Sequence, residues 1–251
     1  MSSVPTHPTH PPQEDAPPLR IMAIVPCYNE GQIIARTLRR LREHNPDIAV
    51  VVVNDGSTDD SRATLAAIEG ITVVDLPLNL GIGGAVQTGF RYFLRSDCDV
   101  VLQFDGDGQH PAPQIPLLVR PLERQECDAV IGSRFLGKGE GYRSTLTRRI
   151  GIRWFGALIR LLTGRKITDA TSGFRAFRKA VVADMVNHYP DDFPEPISTV
   201  FLLQRRYRVR EIAVQMEERS EGTSSLLGWR SVYYLFKVTL ALFVARWSTT
   251  G

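Results

Sequence analysis

Cysteine is scarce in this chain: Cys27, Cys98 and Cys127 stand far apart. Isolated thiols at such spacing form neither a disulfide framework nor a zinc site, and a reducing cytosol is the expected setting. Long apolar runs are missing as well. The uninterrupted stretch Val238–Ala245 lies between Lys237 and Arg246, far short of the roughly 20 residues that span a bilayer. No apolar segment follows a basic start at the N-terminus, so a secretory signal is not expected. Nor is there a large excess of one charge. A formal net charge of +3 is too small to argue for nucleic acid, yet suits phosphate ligands or an anionic membrane surface. The dinucleotide fingerprint is absent too, because the first apolar strand leads into Pro26-Cys27-Tyr28-Asn29-Glu30 instead of a glycine triad.

What is present reads as one α/β domain. The first 18 residues are rich in Pro, Thr and His and have no apolar period, which predicts a disordered tail. Strand and helix patterns then alternate. Arg20–Pro26, Ile48–Val53, Ile71–Leu76, Asp99–Phe104 and Asp128–Gly132 read as strands; Glu30–Glu43, Thr58 or Asp59 to Ile68, Gly84–Arg95 and Ala112–Gln125 read as helices. Apolar strands alternating with helices predict a Rossmann-like, mostly parallel open sheet with helices on both faces. Further on, a helix is expected over Leu146–Leu162, a turn and short strand over Thr168–Phe177, a helix over Ile197–Tyr207 and a strand over Val209–Met216. The domain is read as residues 19–225, followed by an apolar helix over 226–251.

In open sheets of this kind ligands bind beyond the carboxyl ends of the strands. The polar clusters Pro26–Glu30, Asn54–Asp60, Asn79–Gly84 and Asp105–His110 all fall at those ends. The last is the most pointed. Asp105 and Asp107, with Gly106 between them, follow a buried strand, and Gln109 adds a neutral oxygen. Alone this is equally an Asp-Gly turn. Beside the other three loops it suits Mg²⁺ or Mn²⁺, hard ions that keep places open for substrate phosphates. Asp55 can accept from a base imide or close a local turn. Tyr28 and Pro26 can flank a base or ribose, and Glu30 can take a hydroxyl or simply favour a helix N-terminus.

Taken together, Pro26–Glu30, Val53-Asn54-Asp55-Gly56-Ser57-Thr58-Asp59, Asn79–Gly84 and Asp105–Pro111 resemble the family 2 glycosyltransferases and their GT-A nucleotide-sugar-binding fold. Gly132-Ser133-Arg134-Phe135, Thr171-Ser172-Gly173-Phe174-Arg175 and Arg219-Ser220-Glu221-Gly222-Thr223-Ser224 narrow the likeness to the dolichyl-phosphate mannosyltransferase-like branch. That resemblance, over about residues 20–235, implies a membrane-peripheral enzyme at the cytoplasmic face. It would transfer a sugar from a UDP- or GDP-linked donor to a polyprenyl phosphate.

The resemblance also implies roles. Pro26, Tyr28, Glu30, Val53 and Asp55 would hold the nucleoside, and Asp105, Gly106 and Asp107 the donor diphosphate. Asp105, Asp107 and Gln109 would surround the metal, while Arg134 and Arg148 meet phosphates and Arg219 clamps the diphosphate. Two positions depart from the branch: Ser225 stands at the donor-phosphate position usually held by lysine, and Ile152 lies where a serine is expected. Both leave the sugar and the nucleotide open.

A phosphate acceptor is already anionic at neutral pH, its second pKa being about 6; the alternative acceptor, a sugar hydroxyl of a glycan or lipid-linked oligosaccharide, needs a general base. Asp169 is the first candidate for that catalytic base, Asp107 being counted with it as catalytic through the metal; Glu195, between two prolines, is the second. A noncatalytic nucleotide-sugar-binding component of a membrane complex is the remaining alternative. The C-terminal helix, with Trp229, Tyr233, Phe236 and Trp247 at helical spacing, would lie in a membrane interface or against a protein partner or second copy.

Overall fold

The computed structural model describes residues 18–136, 146–217 and 237–243. Seven strands among them form one sheet in the order β3-β2-β1-β4-β6-β5-β7. They are β1 (Ile21–Cys27), β2 (Ala49–Asn54), β3 (Thr72–Asp75), β4 (Val100–Gln103), β5 (Ala129–Ser133), β6 (Arg175–Arg178) and β7 (Val209–Ala213). The helices are α1 (Gly31–His44), α2 (Ser61–Ala66), α3 (Gly81–Leu94), α4 (Ile115–Glu123), α5 (Leu146–Thr163), α6 (Lys179–Met185) and α7 (Pro194–Gln204), with a further helical stretch over 237–243.

The expected open, mostly parallel sheet is there. β1, β2, β3 and β4 pair in parallel, while β6 runs antiparallel to both β4 and β5. Alternation along the strands explains how both sheet faces are filled. Ala23, Val25 and Cys27 pack with Ile34, Leu38 and Leu41 of α1 and with Leu118 and Leu122 of α4. Met22 and Ile24 point the other way, to Val86, Phe90 and Phe93 of α3 and Val182 of α6. Period-two side chains on a doubly covered sheet give this result, and each fully buried Val, Leu, Ile or Phe contributes about 1.5–3 kcal/mol. A third cluster joins Phe155, Ile159 and Leu162 of α5 to Val200 of α7 and to Val238 and Leu242.

Three departures from the sequence reading have local causes. α3 starts at Gly81, not Gly84, because the carboxylate just past β2, Asp55, accepts from the N–H groups of Leu80 and Gly81 at its start. α7 starts at Pro194, not Ile197: Phe193 turns the chain at φ 52°, and proline fits the first helical turn. α6 was not expected at all, although Val181, Val182 and Met185 bury one face of it. The expected tail lies outside the described residues, as does most of the expected C-terminal helix.

Candidate active site

The carboxyl ends of β1, β2 and β4 open onto a cleft of about 630 Å³, whose walls include Pro26, Tyr28, Glu30, Asp55, Asn79, Asp105 and Asp107. All four polar loops expected at that edge therefore reach one space, the second through Asp55 alone and the third through Asn79, Gly81 and Ile82.

Hydrogen bonds stitch the loops to each other. The N–H groups of Glu30 and Gly31 both donate to Ser61 Oγ, at 2.9 and 2.8 Å. Thr58 N–H donates to Asn29 Oδ1 at 2.8 Å, and Asn29 itself takes a left-handed φ of 54°. Asp55, 3% exposed, accepts from Leu80 N–H at 2.7 Å and from Gly81 N–H at 2.9 Å, one bond on each carboxylate oxygen. It is thus no local turn residue. It reaches across from β2 and caps α3, where the helix dipole favours a negative charge. Gly56 makes the approach possible: its φ is +67°, and a Cβ there would lie 2.7 Å from Asn79 N.

The Asp105–His110 turn is held from below. Thr37 Oγ1 of α1 donates to Gly106 O at 3.0 Å, and Gln109 N–H donates to Asp107 Oδ1 at 3.0 Å. Glu217 N–H, just past β7, donates to Gln109 O at 2.9 Å. Asp105 N–H donates to His110 Nδ1 at 2.9 Å, which leaves Nε2 to carry the ring proton, 3.3 Å from Asp105 Oδ2. Burial pushes the His110 ring down to about 4, so it is neutral at physiological pH. Gly173 lies against the same carboxylate; a Cβ there would come within 2.9 Å of Asp105 Oδ2.

Two carboxylates on one tight turn, lining a nucleotide-sized cleft at a strand end, are the decisive feature. The family described as glycosyl transferase family 2 matches residues 22–186. The chain belongs to that family. As a member it is a glycosyltransferase with the GT-A fold.

Relatives within reach span almost the whole chain. An undecaprenyl-phosphate mannosyltransferase of Micrococcus luteus is 32% identical over 241 residues, 91% of this chain and 96% of that protein. A protein of Methanocaldococcus jannaschii without assigned function, MJ1222, is 30% identical over 86% of this chain and 90% of its own length. A UDP-N-acetylglucosamine–dolichyl-phosphate N-acetylglucosaminyltransferase of Methanococcus voltae is 25% identical over 88% and 96%. Among solved structures, glucosyl-3-phosphoglycerate synthase of Mycobacterium tuberculosis, in complex with Mn²⁺ and UDP, superposes with a TM-score of 0.68. It is 18% identical over 91% of this chain and 78% of that one, which speaks to the fold alone.

Against the family background, the expected residues divide. Pro26, Tyr28, Glu30, Asp55, Asp105, Gly106 and Asp107 line the cleft. Val53 does not: it is fully buried in the core beside Val51 and Ile24. Gln109 is half-buried at the end of the Asp turn. Arg148 lies on α5 with its side chain outside the description, and Arg219 and Ser225 fall outside the described residues. Among the described residues no group of three His, Cys, Asp or Glu side chains is gathered closely enough for a metal. The oxygen donors at the cleft are two carboxylates with a carboxamide two residues on, and their hardness fits Mg²⁺ or Mn²⁺.

Asp169 needs correction. It is fully buried and faces Arg134 in a fork, with Nε to Oδ2 at 2.7 Å and Nη2 to Oδ1 at 2.8 Å. Arg134 N–H and Thr171 Oγ1 also donate to it, at 3.1 and 3.2 Å. Although burial alone would raise it, these bonds hold the carboxyl below the usual range. A carboxylate so occupied and enclosed is a poor proton acceptor; it anchors Arg134. Glu211 fixes the same turn by accepting from Thr168 N–H and Asp169 N–H.

Sequence reasoning gave Arg175 no role of its own, yet it is the hub of this side of the site. It is 1% exposed and donates to Ser172 O at 2.6 Å, Ala170 O at 2.8 Å and Glu195 O at 2.9 Å. An arginine inside the apolar run Phe174-Arg175-Ala176-Phe177 was the available signal. Glu195, the second candidate base, sits in the first turn of α7. Burial pushes its carboxyl above the usual range, against the pull of Arg175, and Asp105 adds to the rise.

Proposed function

We propose that this glycosyltransferase moves a sugar, with inversion, from a nucleoside-diphosphate sugar to a polyprenyl phosphate in a metal-dependent reaction. The observation that carries it is the placement of Asp105 and Asp107 on the same cleft as Pro26, Tyr28 and Asp55. One end of that space suits a nucleoside and the other a diphosphate. The named activities of the M. luteus and M. voltae relatives, which span nearly all of the chain, support the lipid-phosphate acceptor.

Pro26 and Tyr28 would flank the base or ribose, with Glu30 on a ribose hydroxyl. Asp55 would act chiefly by holding the Asn79–Gly84 loop against the donor. Asp105, Asp107 and Gln109 would hold Mg²⁺ or Mn²⁺, which when bound neutralises charge on the departing diphosphate. Neutral His110 orients Asp105 by accepting its backbone N–H on Nδ1 and facing its carboxylate with Nε2. Arg134, whose Nε and Nη2 are taken up by Asp169, would act as a fixed positive charge beside the phosphates, and Arg148 and Arg219 would add to it. The acceptor phosphate attacks the anomeric carbon from the face opposite the leaving diphosphate. Being an anion already, it needs alignment and no base.

Membrane-borne acceptor and soluble donor together imply work at the cytoplasmic face of a membrane. Among the described residues no helix is long and apolar enough to cross one. A panel of UDP- and GDP-sugars offered with polyprenyl phosphate, read by mass spectrometry, tests the reading. A lipid product heavier by one sugar supports it; no product from any donor, or sugar placed on a hydroxyl, overturns it.

A further inference from the structure

We infer that the outer face of α5, joined to the helical stretch over 237–243, is a docking surface for an anionic lipid bilayer. The inference rests on the lipid-acceptor reading for its purpose, though not for its geometry.

α5 buries Phe155, Leu158, Ile159 and Leu162, yet its opposite face is not simply polar. Leu161 is 75% exposed and Trp154 52%. At about 100° per residue these two share one edge of the exposed arc, with Ala157 between them and Arg153 and Arg160 on the other edge. Trp154 Nε1–H donates to Thr239 Oγ1 at 3.0 Å, which brings the 237–243 stretch alongside. There Leu240 and Phe243, one turn apart, are 55% and 42% exposed. The two helices thus offer large apolar side chains to solvent in neighbouring positions, an arrangement that calls for a covering partner.

Charge selects the partner. From Glu140 to Asp169 the chain has no acidic residue, while Arg143, Arg148, Arg149, Arg153, Arg160, Arg165 and Lys166 fall between them. Beyond Glu221 no acidic residue occurs either, while Arg230, Lys237 and Arg246 do, Lys237 being paired with Asp192 at 2.7 Å. Among the described residues no carboxylate forms a salt bridge with Arg153, Arg160 or Arg165. An apolar stripe with Trp at its edge and arginines alongside matches the headgroup–acyl boundary of an anionic leaflet. A second copy of the chain would set the same arginines against each other.

The test is sedimentation of the full chain with vesicles of phosphatidylcholine alone or mixed with phosphatidylglycerol, neither containing polyprenyl phosphate. Binding to the anionic vesicles is expected, and weak binding to the neutral ones. Leu161→Ser with Phe243→Ser should weaken binding about tenfold or more. Arg153→Gln with Arg160→Gln should weaken it about fivefold per arginine, less at high salt. These side chains are exposed, so thermal unfolding should be unchanged. Equal binding by the variants, or equal binding to both vesicle types, overturns the proposal. So does a dimer in light scattering without vesicles that Leu161→Ser abolishes. Transfer to a short prenyl phosphate in detergent separates the two readings: a wild-type chain that binds vesicles yet transfers nothing refutes the acceptor and leaves the surface. Docking variants that keep the detergent rate but lose vesicle binding support both.

Discussion

His110 holds Asp105 at two points, taking its N–H on Nδ1 at 2.9 Å and facing its Oδ2 with Nε2 at 3.3 Å. The ring is buried among Phe104 and Phe174, with centroids 5.5 and 4.9 Å away. A neutral, enclosed imidazole with one tautomer is a rigid prop for the carboxylate proposed to meet a cation. Replacing His110 with Ala should lower metal affinity and turnover together, by about 10–100-fold. Titration of Mn²⁺ by calorimetry, alongside kinetics, checks this; a variant with wild-type Mn²⁺ affinity would show that the contact is only structural.

The Arg134–Asp169 fork gives a different expectation. Asp169→Asn removes one charge of a buried pair and leaves Arg134 uncompensated, at a cost of about 3–5 kcal/mol. Because bonds to Arg134 lower the folded-state value of Asp169, the unfolded chain takes up the proton first as pH falls. The pair's contribution is therefore complete above the ordinary carboxylate range and is lost as pH drops through the folded value. Urea denaturation at neutral and acid pH should show wild type losing this increment and Asp169→Asn lacking it throughout. A variant as stable as wild type at neutral pH would refute the anchoring role.

Packing of α3 on the sheet supplies a third. A Cβ at Gly89 would lie 2.4 Å from Ile24 Cγ2 in the middle of β1. Gly89→Ala should destabilise the fold by about 1–3 kcal/mol despite the higher helix propensity of alanine. Gly89→Ala with Ile24→Val, measured by the same denaturation, should recover part of the loss. Stabilisation by Gly89→Ala alone would contradict the close approach.

Much of this was legible before the structure. The runs of Val and Ile in β1 and β2 are buried on both faces and read as strands without ambiguity, and the polar loops after them can only meet at one sheet edge. What stayed hidden depends on partners distant in the chain. Asp55 looks like any turn aspartate until Leu80 and Gly81 donate to it. Asp169 looks like a base until Arg134, 35 residues away, encloses it. Val53 sits next to Asn54 and Asp55 at the cleft edge, but period two turns its side chain into the core. The antiparallel course of β6 leaves no trace in four residues, Arg175–Arg178, that would serve either direction.

The central claim is metal-dependent transfer to a lipid phosphate. The most direct measurement offers the purified chain a nucleotide-sugar donor with either a prenyl phosphate or the corresponding prenol, in Mn²⁺ and again after chelation, for wild type and Asp107→Ala. The expected result is a glycosylated prenyl phosphate from wild type in Mn²⁺ alone, none from the prenol, and none from Asp107→Ala although it remains folded. Equal transfer to the prenol, or undiminished transfer after chelation, would contradict it.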